Sequence, residues 1–447
     1  MVARKEADMN ENHIIQFLVG IEKEINVLGV KEEQKDGVTF KVVEISNSRI
    51  RVRCPYCNKF TKKVHDWLKP IQIKYVKIAE YPVILLVHKR RFDCDKCSKR
   101  FTEEMYLNNN NKKLSNKLEQ KILKDLKEPT LNIRYIANLN HVSETSVRRI
   151  LERAVDLPEY QRLLPSVLSF DEFKADTNKG KYAFIVNDLL HKKTIDILPS
   201  RKKEDLVSYF TKAENRSAVQ YVVSDMYEPY LLVTTICFPK AKYVVDRFHY
   251  IRYIMDALDK IRIRLQKENG YNSKEYRLLK NKKNASLLRK YGIEIDWFVY
   301  TKRYKNGHMV DVLPKEALDE LFEIDEDLKY GYQLKELFLD IVHHSDYEHA
   351  EIELRSWIDL CNTSKIEEFE SAAMTIDNWL PYIVNSFIDK RFSNGYTEGL
   401  NNKIKVIKRN GYGYRNFDFF RKRVMYILKE EISGKSKKDS FQKTKKM

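Results

Sequence analysis

VLSFDEF (167–173), KYAFIVNDLL (181–190) and KKTIDILPS (192–200) read as three strands in succession, because apolar and β-branched residues recur with short polar breaks between them. The rhythm then changes. RKKEDLVSYFTKA (201–213) has helical spacing, VQYVVSD (219–225) returns to a strand, a helix follows over roughly 228–237, and AKYVVDRFH (241–249) opens with another strand. A meander that gives way to strands alternating with helices predicts an α/β unit on a sheet of mixed direction. Asp171 follows Val167-Leu168-Ser169-Phe170, Asp225 follows Val222-Val223-Ser224, and Asp246 follows Val244-Val245. A single aspartate at a strand end is usually a turn former or helix cap. Three in one sheet place carboxylates on a rigid frame, which is what a catalytic metal needs.

Beyond this sheet, from about 250 to 390, the pattern is helical with few turn signals, and it predicts a helical insertion rather than a second sheet. SNGYTEGLNNKIKVIKR (393–409) then starts a helix at Ser393 or Asn394. On it Glu398, Asn401 or Asn402, Lys405 and Arg409 share one face. An acid, an amide and two cations suit a working surface; they also suit a solvated face with favourable Glu–Lys spacing. The unit is expected to span 163–431, followed by a basic, Lys-rich tail over 432–447 that reads as disordered.

Upstream, NIRYIANLNHVSETSVRRILERA (132–154) predicts two short helices. Ile133, Ile136 and Ala137 face inward on the first, and Ser143 caps a second whose inner face is Val147, Ile150 and Leu151. Glu144, Thr145, Ser146, Arg148 and Arg149 point outward, as on the recognition helix of a helix-turn-helix. An ordinary helical hairpin has the same pattern. The helix-turn-helix region is bounded at 112–157.

The segment 48–105 carries Cys54-Pro55-Tyr56-Cys57 and Cys94-Asp95-Lys96-Cys97 among alternating strands. Two C-x-x-C turns supply four thiolates, a closed tetrahedral set for structural Zn²⁺ with no open position for catalysis. His65 and His88 are not needed as ligands. Arg90 and Arg91, with Lys89, Lys96, Lys99 and Arg100, suit phosphate contacts. Residues 1–47 read as a helix and a polar connector.

Bulk composition agrees. The chain has 447 residues, 43% of them hydrophobic, and 82 basic against 64 acidic residues give a net charge of +18. So basic a chain is expected to meet a polyanion. No run approaches the roughly 20 apolar residues of a membrane span, and no secretory signal is read at the N-terminus. Cysteine usage suits a reducing cytoplasm. The fold class expected is multidomain, α+β and α/β.

The order zinc ribbon, helix-turn-helix, FDEF, SDM, VVDRFH (244–249) and NGYTEGLNNKIKVIKRNGYGYRNFDFFRKR resembles bacterial insertion-sequence transposases of the ISL-three family. The resemblance covers nearly the whole chain. It implies a ribonuclease-H-like mixed sheet with a large helical insertion and an Asp-Asp-Glu triad of Asp171, Asp225 and Glu398. Asp246 competes for the second place, and Asp225 is preferred as the acid ending the fourth strand. Such a triad would hold two Mg²⁺, or Mn²⁺, for DNA cleavage at transposon ends and for strand transfer. Lys405 and Arg409 would grip the adjacent DNA strand; Arg247 and His249 would orient DNA or nearby acids, or serve as core and capping groups. The implied partners are double-stranded DNA and a second copy of the chain, in the bacterial nucleoid. A DNA-binding regulator without catalysis, a nuclease that never joins strands and an RNA-processing ribonuclease-H-like enzyme are the alternatives.

Overall fold

The computed structural model describes residues 25–105, 107, 113–305, 308–411, 413–414 and 416–429. The helix expected before residue 25 and the tail over 432–447 lie outside them. The chain forms two compact units, one of residues up to Leu157 together with Lys405–Ile427, the other essentially Pro158–Ile404.

In the first unit, the expected connector is instead a hairpin. Strands β1 (Ile25–Lys35) and β2 (Val38–Asn47) pair antiparallel around Asp36-Gly37, both at positive φ. Asp-Gly is the residue pair such a two-residue turn demands, and the charged outer positions of β1 hid a strand whose Ile25 and Val27 are buried. The short strands β3 (Val52–Arg53), β4 (Phe60–Thr61) and β5 (Val64–Trp67) follow, then β6 (Ile71–Ile78), β7 (Tyr81–His88), β8 (Arg90–Asp93) and β9 (Arg100–Thr102). One sheet has the order β1-β2-β7-β6, with β2 and β7 parallel; β5-β8-β9 and β3-β4 form two smaller ones.

Three helices come next: Asn116–Lys127, Ile133–Leu139 and Glu144–Ala154. Ser115, Asn132 and Ser143 each accept a first-turn N–H, which fixes the starts. Their apolar faces close on Leu118, Ile122, Ile136, Val147 and Leu151, together with Phe419 from the far end of the chain. Phe419 belongs to the helix Phe417–Leu428. From that helix the buried Arg423 donates to the carbonyls of Glu128 and Leu131, both at 3.1 Å, and burial pushes its guanidinium down to about 10.

The second unit carries a five-stranded sheet of order β12-β11-β10-β13-β14. Its strands are β10 (Val167–Thr177), β11 (Gly180–Asp188), β12 (Lys193–Leu198), β13 (Tyr221–Ser224) and β14 (Lys242–Val245). β10, β11 and β12 are an antiparallel meander, while β13 and β14 run parallel to β10. The parallel strands need crossovers, supplied by the helices Lys203–Phe210 and Glu228–Cys237. One continuous core runs from Phe170, Phe184 and Val222 on the sheet to Ile254, Phe338, Trp357 and Phe369 on the helices Arg247–Glu268, Glu326–His344, Ala350–Ser364 and Glu367–Val384. The expected all-helical stretch is broken by a two-stranded antiparallel ribbon, β15 (Thr301–Lys305) and β16 (His308–Val312). No described helix is long and apolar enough to cross a membrane.

Trp357 is fully buried, 4.7 Å from the ring of Phe338, and its Nε1 donates to the Leu334 carbonyl at 2.8 Å. Trp357→Ala is expected to cost about 3–5 kcal/mol, read as a fall in the urea midpoint. An unchanged midpoint would mean that the helical layer is not packed as described.

Candidate active site and metal centre

The register of the parallel strands sets three aspartates side by side. Ser169 pairs with Val223, and Ser224 with Val245. Asp171, Asp225 and Asp246 therefore fall at one level on adjacent strands, the last two just past the strand ends. Ser224 Oγ ties β13 to β10 by donating to the Phe170 carbonyl at 3.0 Å. The face that carries Val167, Val223 and Val244 is covered by Phe392.

The helix Gly395–Asn410 docks on the same stretch of β10 through polar side chains. Ser169 Oγ donates to Asn394 Oδ1 at 2.7 Å and lies 2.8 Å from Thr397 Oγ1. Asn187 Nδ2 donates to Thr397 Oγ1 at 3.1 Å, and Asn394 Nδ2 to the Phe170 carbonyl at 3.3 Å. One turn further on, Asn401 Nδ2 donates to Asp171 Oδ2 at 2.8 Å. Positions 394, 397 and 401 recur at helical spacing, and all three side chains are buried. Glu398 follows Thr397 directly and is exposed.

The three aspartates have different surroundings. Asp171 is half-buried; its Oδ1 accepts the Glu172 N–H at 2.7 Å. Burial, with the charges of Asp225, Glu172 and Asp246, pushes its carboxyl up to about 7 against the pull of that N–H. Asp246 is buried, and burial raises its carboxyl too. Its Oδ1 accepts the Asn394 N–H at 3.1 Å, and its Oδ2 lies 3.8 Å from His249 Nε2. Asp225 Oδ1 lies 3.2 Å from Ser224 Oγ. Asn401 Oδ1 is buried beside Asp171 with no hydrogen-bond partner. A carboxylate pair on adjacent strands and an orphaned amide oxygen are hard oxygen donors, the chemistry that Mg²⁺ or Mn²⁺ prefers. Asp171, Asp225 and Glu398 are not closed around a common point: among the described residues, the four cysteines alone gather three or more His, Cys, Asp or Glu donors within 4.8 Å.

Arg247, the other basic neighbour of Asp246, points into the helical layer, donating to the carbonyls of Ser386 at 3.0 Å and Val342 at 3.4 Å. Sequence reasoning missed Ser169, Asn187, Asn394 and Thr397, whose small polar side chains carry no chemical signature of their own. It also missed Glu172, which accepts from Tyr230 at 2.6 Å and pairs with Arg201.

At the cysteines, each C-x-x-C turn is closed by a residue at positive φ, Asn58 after Cys57 and Ser98 after Cys97. The first-cysteine amides of both turns bond alike, Cys54 to the Lys59 carbonyl at 2.8 Å and Cys94 to that of Lys99 at 3.0 Å. Cys54 and Cys97 sulfurs are 3.6 Å apart, and those of Cys57 and Cys94 3.5 Å. Tetrahedral Zn–S bonds set sulfurs about 3.8 Å apart, so the four residues fit structural Zn²⁺.

Of the basic residues expected to meet DNA, Arg90 is committed inside the fold: it pairs with the buried Glu103 at 2.8 Å and donates to the carbonyls of Asn47 and Arg49. Arg91 pairs with Asp66. Thr145 and Arg149 are exposed on the helix Glu144–Ala154. Ser146 bonds to the Ser143 cap, and Arg148 lies over the Phe419 ring at 4.8 Å. Lys405 and Arg409 are exposed.

Comparison with known proteins places this geometry in a family. Residues 168–424 match the ISL3 family of DDE proteins, described as transposase, and residues 50–97 match a domain described as the zinc-finger of transposase IS204/IS1001/IS1096/IS1165. The chain is 24% identical over 375 residues, 82% of its length and 86% of the relative's, to the transposase for insertion sequence element IS1001 of Bordetella parapertussis. It is also 34% identical over 124 residues to a protein of Lactococcus lactis subsp. lactis named ATP-dependent protease, a match covering 28% of this chain and 38% of that one. The match that spans the aspartates, the helix of Glu398 and more than half of the sequence decides the assignment: this chain belongs to the ISL3 family of DDE transposases.

Proposed function

We propose that Asp171, Asp225 and Glu398 are the acids with which this transposase cleaves insertion-sequence ends and joins them to target DNA. One observation carries the reading: Asn401 binds the Asp171 carboxylate at 2.8 Å from the helix that bears Glu398 one turn earlier. The order β12-β11-β10-β13-β14, with β11 antiparallel to its neighbours, supports a ribonuclease-H-like sheet. Asp225 is the better second acid, because the Asp246 carboxylate already holds the Asn394 N–H.

Bound between these acids, two divalent ions would activate the attacking oxygen and stabilise the leaving 3′ oxygen. The chain's own contribution is positional. Asp171 sits on the central strand, held by Asn401 and by the Glu172 N–H, and Asp225 leaves the next strand at the same level. Glu398 supplies the third carboxylate from an exposed helical position, within reach of DNA. A water attacks first; the freed 3′-OH attacks target DNA second.

The helices Ile133–Leu139 and Glu144–Ala154 are read as a helix-turn-helix, with Thr145, Arg148 and Arg149 toward the major groove. Lys405 and Arg409 are read as backbone contacts. Paired transposon ends call for two copies of the chain, and the site of action is the nucleoid.

Three outcomes test this reading. Glu398→Gln and Asp225→Asn should each lower Mg²⁺-dependent cleavage of terminal-repeat DNA by roughly 10³-fold or more. Asp246→Asn should keep measurable cleavage, because its remaining side-chain oxygen still accepts the Asn394 N–H. A dead Asp246 variant beside an active Asp225 variant would exchange their roles.

The second outcome concerns pH. The folded Asp171 carboxyl lies at about 7 against an ordinary 3.8. Folded protein thus keeps a proton that the unfolded chain has released, and metal-free stability falls as pH climbs through that window. In chelator near pH 8, Asp171→Asn should melt above the wild type, and the gap should shrink as pH falls below about 7 and close only below the ordinary 3.8. A variant no more stable near pH 8 would show that the Asp171 charge is not desolvated.

Third, the protein should carry one tightly held Zn²⁺ per chain, lost in Cys94→Ser along with protease resistance of residues 50–97. Full zinc content in that variant would place the metal elsewhere.

A further inference from the structure

The arginines of the cysteine-rich segment fall into two sets. Arg90, Arg91 and Arg100 are paired with Glu103, Asp66 and Asp93. A paired charge presents little field to a distant polyanion. Arg51 and Arg53 are different. Both are exposed, and neither makes an ion pair with an acid among the described residues. Instead both guanidinium groups lie over the exposed ring of Phe60, at 5.2 and 5.1 Å from its centroid.

The metal centre builds this arrangement. Arg53 and Phe60 are partners across β3 and β4, the hairpin that closes the first cysteine turn. Arg53 Nη1 also donates to Asn58 Oδ1 at 3.4 Å, and Asn58 is the positive-φ residue next to Cys57. Arg49, Arg51, Arg53, Asn58 and Phe60 line an open cleft of about 530 Å³. Glu103 and Glu104 line it too, with Glu103 held by Arg90.

We propose that Arg51 and Arg53, stacked on Phe60, form the face by which the zinc ribbon grips the backbone of duplex DNA, one phosphate to each arginine. The inference rests on the reading of this chain as a DNA-binding transposase and moves the ribbon's phosphate contacts away from Arg90 and Arg91. An aromatic ring orders a guanidinium without cancelling its charge, and it leaves the edge N–H donors free for phosphate oxygens. Contacts of this kind position a protein on DNA without reading its sequence.

The zinc-loaded full-length chain, titrated with a short random-sequence duplex over a series of salt concentrations, tests this. R51A/R53A should bind roughly tenfold more weakly, with the slope of log affinity against log salt reduced by about two. R51K/R53K should keep the slope, and R91A/R100A should keep both affinity and slope. Zinc content shows that each variant retains the cysteine fold. Wild-type binding by R51A/R53A, or a loss seen in R91A/R100A instead, overturns the assignment of this face while leaving DNA binding in place. A wild-type chain that binds no duplex at low salt overturns the DNA reading and the face together.

Discussion

The candidate site depends on one set of buried hydrogen bonds between a strand and a helix more than 220 residues apart in sequence. Ser169 on β10 meets both Asn394 and Thr397, and Asp171, two residues along the same strand, meets Asn401. An apolar contact would hold the helix against the sheet yet tolerate rotation or sliding, because dispersion is not directional. Donors and acceptors at 394, 397 and 401 tolerate neither: a shift of one residue would strand buried polar groups, each costing about 1–3 kcal/mol. Glu398 inherits its position from its neighbours on that face, although its own side chain is exposed.

The same logic separates three aspartates that look alike in sequence. They lie at one level across β10, β13 and β14. Asp246 is buried and holds the first amide of the docking segment. Asp171 is half-buried and tethered on both oxygens. Asp225 is half-buried and touched through the neighbouring Ser224 hydroxyl. Environment, rather than residue type, divides anchoring from availability.

Much of this was legible in the sequence. The strands of the second unit announce themselves through Val, Ile and Phe alternation, and the cysteine turns through spacing alone. The first hairpin was not, since Lys31, Glu32, Glu33, Gln34 and Lys35 on its outer stretch read as a linker; the Asp36-Gly37 pair was the signal that could have found it. Arg90 was misjudged for a related reason. Sequence shows a charge and not its partner, and Glu103 lies 13 residues away on the neighbouring segment. The docking residues Ser169, Asn394 and Thr397 are small and common, so only their meeting in space gives them meaning.

Phe419 and Arg423 have a bearing on synthesis. The bundle of residues 116–154 is completed by a ring and a guanidinium that are synthesised long after it. Until they emerge, the Glu128 and Leu131 carbonyls lack those donors and the apolar interior is short of an aromatic. A nascent chain, or one ended by a nonsense codon before Phe419, therefore carries an unfinished bundle, and competence of this module waits on synthesis of the helix Phe417–Leu428.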